Sequence, residues 1–305
     1  MVGWADLVID EVNTVPFFAK FYVRSPSPYQ GEGWGEVKNI LFVHQLCRQI
    51  WFYEMFFPLN LLGYILEPIY LWLLRDRKVI TVSQSTKNDL LKYGFKEENI
   101  KIISEGIEIE PLPEVESRKY KVESLKYEEP TILSLGAIRS MKRIDHIIKA
   151  FELAKEKMGD LRLVIVGSVE GEYGKKVLKM IKENKYQDSI EYLGKISKEK
   201  KIEILQKAHL LAVTSVKEGW GLVITEANSQ GTPAVVYNMD GLRDAVKNDE
   251  TGIICQKNTP ENLAENMTKL LGDKAKYEKL SINAWEWSKG INFEKSYEDF
   301  INFIT

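Results

Sequence analysis

The chain has 305 residues, 44% apolar and 28% charged, with 42 basic against 44 acidic side chains and a formal charge of −2. That length suits two domains, and that charge balance carries no electrostatic footprint for nucleic acid. Two cysteines, Cys47 and Cys255, are too few and too distant for a disulfide framework or a zinc site, and no charged-then-apolar leader is read at the start, so a reducing, cytoplasmic location is expected.

Residues 5–10 form a short apolar strand candidate, residues 17–23 are aromatic and apolar, and residues 25–35 are rich in proline and glycine and read as a loop. Residues 39–44 read as a buried strand with polar His44 at its carboxyl end. In open α/β sheets that end faces the ligand crevice, so His44 is a candidate functional residue as well as a candidate packing residue. Residues 50–74 hold Trp51, Phe52, Tyr53, Phe56, Phe57, Tyr64, Tyr70 and Trp72, interrupted by Glu54, Pro58, Asn60, Glu67 and Pro68. A transmembrane helix needs about 20 mostly apolar residues, so a span is rejected. Two readings remain for 50–74: a pair of helices packed in a core, or a lipid-facing interfacial surface with Arg48, Arg75, Arg77 and Lys78 at its flanks. Residues 78–82 form a strand, Ser83 caps a helix running to Gly94, and 99–103 form a further strand. The charged, proline-bearing stretch 111–130 reads as a linker.

The second half alternates strand and helix throughout, which predicts a parallel sheet. Strands are expected at 131–136, 161–167, 189–194, 209–214 and 234–237, and helices at 144–158, 174–185, 198–208, 222–230, 260–272, 277–287 and 293–304. Residues 241–246 and 252–255 are read as continuing the same alternation. Between Gly136 and Arg143 a loop carries Arg139 and Lys142, which suits a diphosphate but is also what a solvated basic turn contains. Between 214 and 222 a second loop sets Gly219 and Gly221 around Trp220 and opens into the helix of Leu222 and Val223. A helix start presents unpaired N–H groups and a partial positive charge, so it can hold a phosphate. Glu218 before the helix and Glu226 one turn inside it would repel phosphate, yet they can hold hydroxyl groups, which a sugar nucleotide has at both ends. Glu218 is therefore read as facing a sugar and Glu226 a ribose, with the phosphates between them. Solvated carboxylates at a helix start, where the dipole welcomes them, are the other reading.

The string from Ser215 to Tyr237 resembles the E-x7-E segment of the GT4 family of retaining glycosyltransferases, with Glu218 and Glu226 on its two glutamates and Gly219 to Val223 on the backbone segment between. The family's strand-end histidine corresponds to His44, its phosphate-loop glycine and lysine to Gly136 and Lys142, and its base-contacting segment to the stretch holding Leu193. Ala137 stands where the family has arginine, and Arg139 is expected to take that part. The resemblance implies an α/β GT-B fold of two Rossmann-like domains with parallel sheets: an N-terminal domain over 1–125 that is incomplete at its start, a nucleotide-sugar domain over 126–288, and a terminal helix over 289–305 returning to the first domain.

It further implies transfer of a sugar from a UDP- or GDP-sugar to an acceptor hydroxyl, a glycan or a lipid-linked one, with Glu218, Lys142 and His44 catalytic and no essential cofactor or metal. The alternatives are a truncated sugar-nucleotide-binding subunit, whose partner chain would cover the N-terminal sheet edge, and a glycogen-synthase-like enzyme with a soluble glycan acceptor. Peripheral contact with the inner membrane face through 50–74 is expected if the acceptor is lipid-linked.

Overall fold

The computed structural model describes residues 7–12, 38–113 and 125–304. The aromatic stretch 17–23, the loop 25–35 and residues 114–124 of the linker lie outside the described residues. Two compact units are present, one reaching Ser104 and including 299–304, the other running from Glu105 to Glu298.

In the first unit the described strands are β1 (Leu7–Glu11), β2 (Lys38–Val43), β3 (Lys78–Thr81) and β4 (Ile100–Ile102), all parallel, in the order β1-β2-β3-β4. The apolar residues of the inner strands β2 and β3, such as Ile40, Leu41, Val43, Val79 and Ile80, are buried, as a parallel sheet covered on both faces requires. Between β2 and β3 lie α1 (Ile50–Glu54) and α2 (Leu59–Leu74), and between β3 and β4 lies α3 (Gln84–Lys92). Ser83 caps α3 by accepting the Thr86 N–H at 3.2 Å. Phe300, Phe303 and Ile304 pack against Ile40, Ile80 and Ile103 of this unit.

The α1–α2 hairpin corrects the core reading of 50–74. The two helices are there, but only Ile50, Trp51, Tyr70, Leu71 and Leu74 among their apolar residues are buried. Phe52, Phe56, Phe57, Leu62, Ile65, Ile69 and Trp72 are each half exposed or more, Phe57 reaching 75%. The hairpin is held instead by one carboxylate. Glu67, 1% exposed, accepts the main-chain N–H groups of Cys47 and Arg48 at 2.6 Å each and the indole N–H of Trp51 at 3.2 Å. Pro68 sits inside α2 without breaking it. A proline there removes the N–H that would reach the Tyr64 carbonyl, and the Arg48 guanidinium donates to that carbonyl at 3.0 Å. No helix among the described residues is long and apolar enough to cross a membrane.

The second unit contains β5 (Thr131–Leu135), α4 (Ile144–Lys155), β6 (Arg162–Val166), α5 (Gly171–Lys182), β7 (Ile190–Tyr192), α6 (Lys198–Lys207), β8 (Leu210–Val213), α7 (Leu222–Ser229), β9 (Ala234–Val236), β10 (Gly252–Ile254), α8 (Pro260–Gly272) and α9 (Lys274–Ser288), with α10 (Phe293–Ile304) beginning in this unit. Its sheet is parallel in the order β10-β9-β8-β5-β6-β7. That is a doubly wound order, reversing between β5 and β8, where a crevice opens beyond the carboxyl ends of the strands. Residues 241–246 correct the expected alternation: they form turns rather than a helix or strand, closed by the Gly241 N–H donating to the Asp244 carboxylate at 3.0 Å.

Glu67→Ala is expected to cost about 3–5 kcal/mol of stability, because it removes the buried carboxylate that accepts from Cys47, Arg48 and Trp51. Phe56→Ala, on the exposed face, should change stability by less than about 0.5 kcal/mol. Urea unfolding of both variants checks this; equal small effects would show that Glu67 does not hold the hairpin.

Candidate functional site

The two loops at the β5/β8 reversal are stitched to each other through main-chain atoms. Thr214, just after β8, donates its hydroxyl to the Lys142 and Arg143 carbonyls at 2.8 and 3.0 Å. The Val216 N–H donates to the Met141 carbonyl at 2.8 Å. With the loops fixed, the Lys142 ammonium reaches the Glu218 carboxylate at 2.5 Å, both side chains largely withdrawn from solvent. Lys142 ends a single 3-10 turn that Arg139 precedes, and Gly136 opens the loop with its N–H bonded to the Val166 carbonyl at 2.9 Å.

Asp240 fixes Glu218 from the other side. The Glu218 N–H donates to the Asp240 carbonyl at 3.0 Å, the buried Lys217 ammonium lies 3.4 Å from the Asp240 carboxylate, and Arg243 pairs with it too. Gly241 follows with φ +78°, and a Cβ there would stand 2.1 Å from the Glu218 carbonyl oxygen. Gly219 completes the loop. Gly221, φ +87°, turns the chain into α7 in the left-handed region that glycine tolerates. The first N–H groups of α7, from Leu222 and Val223, have no partner within the helix by its geometry. Trp220 is clamped beside them, its indole N–H donating to the Thr225 hydroxyl at 2.9 Å and its ring 6.1 Å from that of Trp287.

Glu226, on the second turn of α7, accepts from the Lys201 ammonium of α6 at 2.6 Å. Thus each glutamate of the pair is held by a lysine from a different element. Leu193 follows β7 at the carboxyl edge of the same sheet, its N–H donating to the Ile165 carbonyl at 3.0 Å. His146, in the first turn of α4, shares a 2.9 Å hydrogen bond with the Tyr237 hydroxyl, and burial lowers its pKa towards the neutral form. His44 belongs to the first unit. It follows β2 directly, lies 3.2 Å from Glu11 at the end of β1, and meets the Phe42 ring edge-on.

Lys201, Lys217, Asp240 and Gly241 were not legible as site residues in the sequence. Lys201 did carry a signal: it precedes Ile204 and Leu205, the buried residues of α6, by one helical turn, so it shares their inward face.

Residues 116–287 match the family model described as "Glycosyl transferases group 1", and the chain belongs to that family. A D-inositol 3-phosphate glycosyltransferase of Nocardia farcinica is 24% identical over 232 residues, covering 74% of this chain and 51% of that protein. Among solved structures, Anabaena Alr3699/HepE in complex with UDP and glucose superposes with a TM-score of 0.70 at 19% identity, over 87% of this chain and 71% of that one. WaaG, a glycosyltransferase involved in lipopolysaccharide biosynthesis, superposes with a TM-score of 0.67 at 17% identity, over 85% and 73%. The α/β fold with two parallel sheets is thus that of the GT-B glycosyltransferases. The chain spans about half the length of the curated relatives it matches.

Gly241→Ala is expected to cost about 1–3 kcal/mol, since the new Cβ requires a strained φ and meets the Glu218 carbonyl. Gly272→Ala, with nothing within 4 Å of the added Cβ, serves as the control and should be neutral or stabilising. Denaturant midpoints of both variants test whether the backbone contact behind Glu218 is tight.

Proposed function

We propose that this protein transfers a sugar, with retention of configuration, from a UDP- or GDP-sugar to a hydroxyl of a lipid-linked acceptor. The observation that carries the reading is the Lys142–Glu218 pair beside the start of α7 at the strand-order reversal. The α7 amides would hold the diphosphate, and Lys142 with Arg139 would neutralise the charge that grows on it as the sugar C1–oxygen bond breaks. Glu218 would hold the sugar hydroxyls and Glu226 the ribose, each oriented by its lysine, while the segment of Leu193 meets the base. The acceptor oxygen then bonds to C1 from the face the diphosphate leaves, and its proton passes to the departing phosphate oxygen. His44 is part of the proposal as a further catalytic residue, on the strength of its place at a strand end. The UDP held by the HepE structure supports a uridine donor.

Glu226→Ala is expected to weaken nucleotide binding by about 1.5–3 kcal/mol, the worth of hydrogen bonds to a charged group. Glu218→Ala should chiefly lower turnover. Calorimetry with UDP and GDP, alongside transfer rates, separates the two; equal affinity in wild type and Glu226→Ala sinks the ribose assignment.

The lipid-linked acceptor rests on the α1–α2 hairpin. An exposed apolar surface this continuous marks an interaction site, and its aromatic content suits the headgroup boundary of a bilayer. Arg75 lies over the Trp72 ring at 4.4 Å, and Arg77 and Lys78 follow, a basic flank for anionic lipid. The lipopolysaccharide role of WaaG points the same way. The protein should float with anionic liposomes, and Phe56→Ser with Phe57→Ser should abolish flotation while leaving nucleotide affinity unchanged. Failure of the wild type to float on anionic and neutral vesicles alike would favour a soluble acceptor, as the name of the inositol phosphate relative suggests.

A further inference from the structure

The donor residues all lie beyond the carboxyl ends of the second unit's strands. At the amino ends of the same sheet, where Pro130 precedes β5 and His209 precedes β8, lies a separate cavity of about 300 Å³. Lys126, Tyr127, His209, Lys274 and Tyr277 line it, and no carboxylate is among the described residues that do. The Lys126 ammonium donates to the Ala208 carbonyl and the Thr232 hydroxyl at 2.7 Å each. An ammonium has three N–H groups, so one remains. The His209 Nδ1 accepts the Thr131 N–H at 3.1 Å, which places the ring proton on Nε2. The Tyr277 ring stands 6.2 Å from the imidazole. Lys274, on the first turn of α9, is exposed at the mouth, its ammonium 3.9 Å from Glu278.

Tying Ala208 to Thr232 is a sufficient structural role for two of the Lys126 N–H groups. It does not account for an imidazole and a second lysine lining the same space. Nor does it account for a half-buried cation with no carboxylate among the described residues that line the cavity, since such a charge gains when an anion arrives. Burial holds Lys126 down to about 7, and burial together with the Lys126 charge holds His209 down to about 4. The cavity exceeds a bare ion and has aromatic walls in Tyr127 and Tyr277.

We infer that this cavity binds a phosphate group carried on a small organic ester: Lys126 and Lys274 meet its charge, the His209 Nε2–H donates to it, and the two tyrosines wall the organic part. The site is independent of the donor reading, lying at the opposite edge of the sheet.

The chain has three histidines, so the ring resonances of His209 can be followed individually by NMR and assigned with His209→Asn. Glycerol 3-phosphate and inorganic phosphate are titrated separately at constant ionic strength. The expected result is a saturable shift of the His209 signals, with the ester binding more tightly. Lys274→Gln, an exposed position that leaves folding intact, should weaken it about tenfold, the factor for one charge-assisted hydrogen bond. Inorganic phosphate binding as tightly as the ester overturns the assignment of an ester. No saturable shift at His209 with either probe, or affinity unchanged in both Lys274→Gln and Lys126→Met, overturns the site.

Discussion

The reversal of strand order between β5 and β8 is the constraint on which the second unit depends. Neighbouring strands whose connections leave in opposite directions cannot have their following loops covered by one helix, so the loops after them line a crevice. Here the chain ties those loops together by Thr214 and Val216 before any side chain is asked to act. Lys142 and Glu218 come from elements 76 residues apart in sequence, and their 2.5 Å separation is a consequence of that stitching. Asp240 and Gly241 brace the same loop from behind, which leaves Glu218 little freedom to turn away.

The pairing of each glutamate with a lysine has a physical logic. A carboxylate close to a phosphate site repels the ligand and costs desolvation energy as it becomes enclosed. A lysine alongside offsets both effects and fixes which oxygen stays available. Lys142 reaches Glu218 from the loop that opens at Gly136, whereas Lys201 reaches Glu226 from α6. In the proposed reading the same charge type serves two purposes: neutralising a departing group in one case and orienting a hydroxyl acceptor in the other.

The architecture was legible because parallel strands buried on both faces must be apolar runs, and helices between them must carry a periodic face. The string around Glu218 and Glu226 stood out through its resemblance to the E-x7-E segment, since glutamates and glycines at a helix start are by themselves also what a solvated turn contains. Strand order was not, because runs such as 131–135 and 210–213 are interchangeable by composition, and only the fold says that they are neighbours. Lys201 and Lys217 were hidden among many lysines of similar surroundings in sequence, and Gly241 fell in a stretch read as continuing the strand and helix alternation. For residues 50–74, aromatic content alone does not say which side of a helix meets solvent. The answer lay in Glu67, read as an interruption of the apolar stretch but acting as its internal anchor, and in Arg48, which serves the carbonyl that Pro68 leaves without a donor. Once those polar needs are met at the centre of the hairpin, the large side chains have no interior left to enter and face outwards.

The central claim is that a nucleoside diphosphate is held by the start of α7 between Glu218 and Glu226. Its most direct test is a crystal structure of the protein soaked with UDP. The diphosphate is expected about 3 Å from main-chain N–H groups of residues 219–223 and from the Lys142 ammonium, with the ribose hydroxyls on Glu226. UDP lodged elsewhere on the chain, or bound here with its ribose turned away from Glu226, would contradict it.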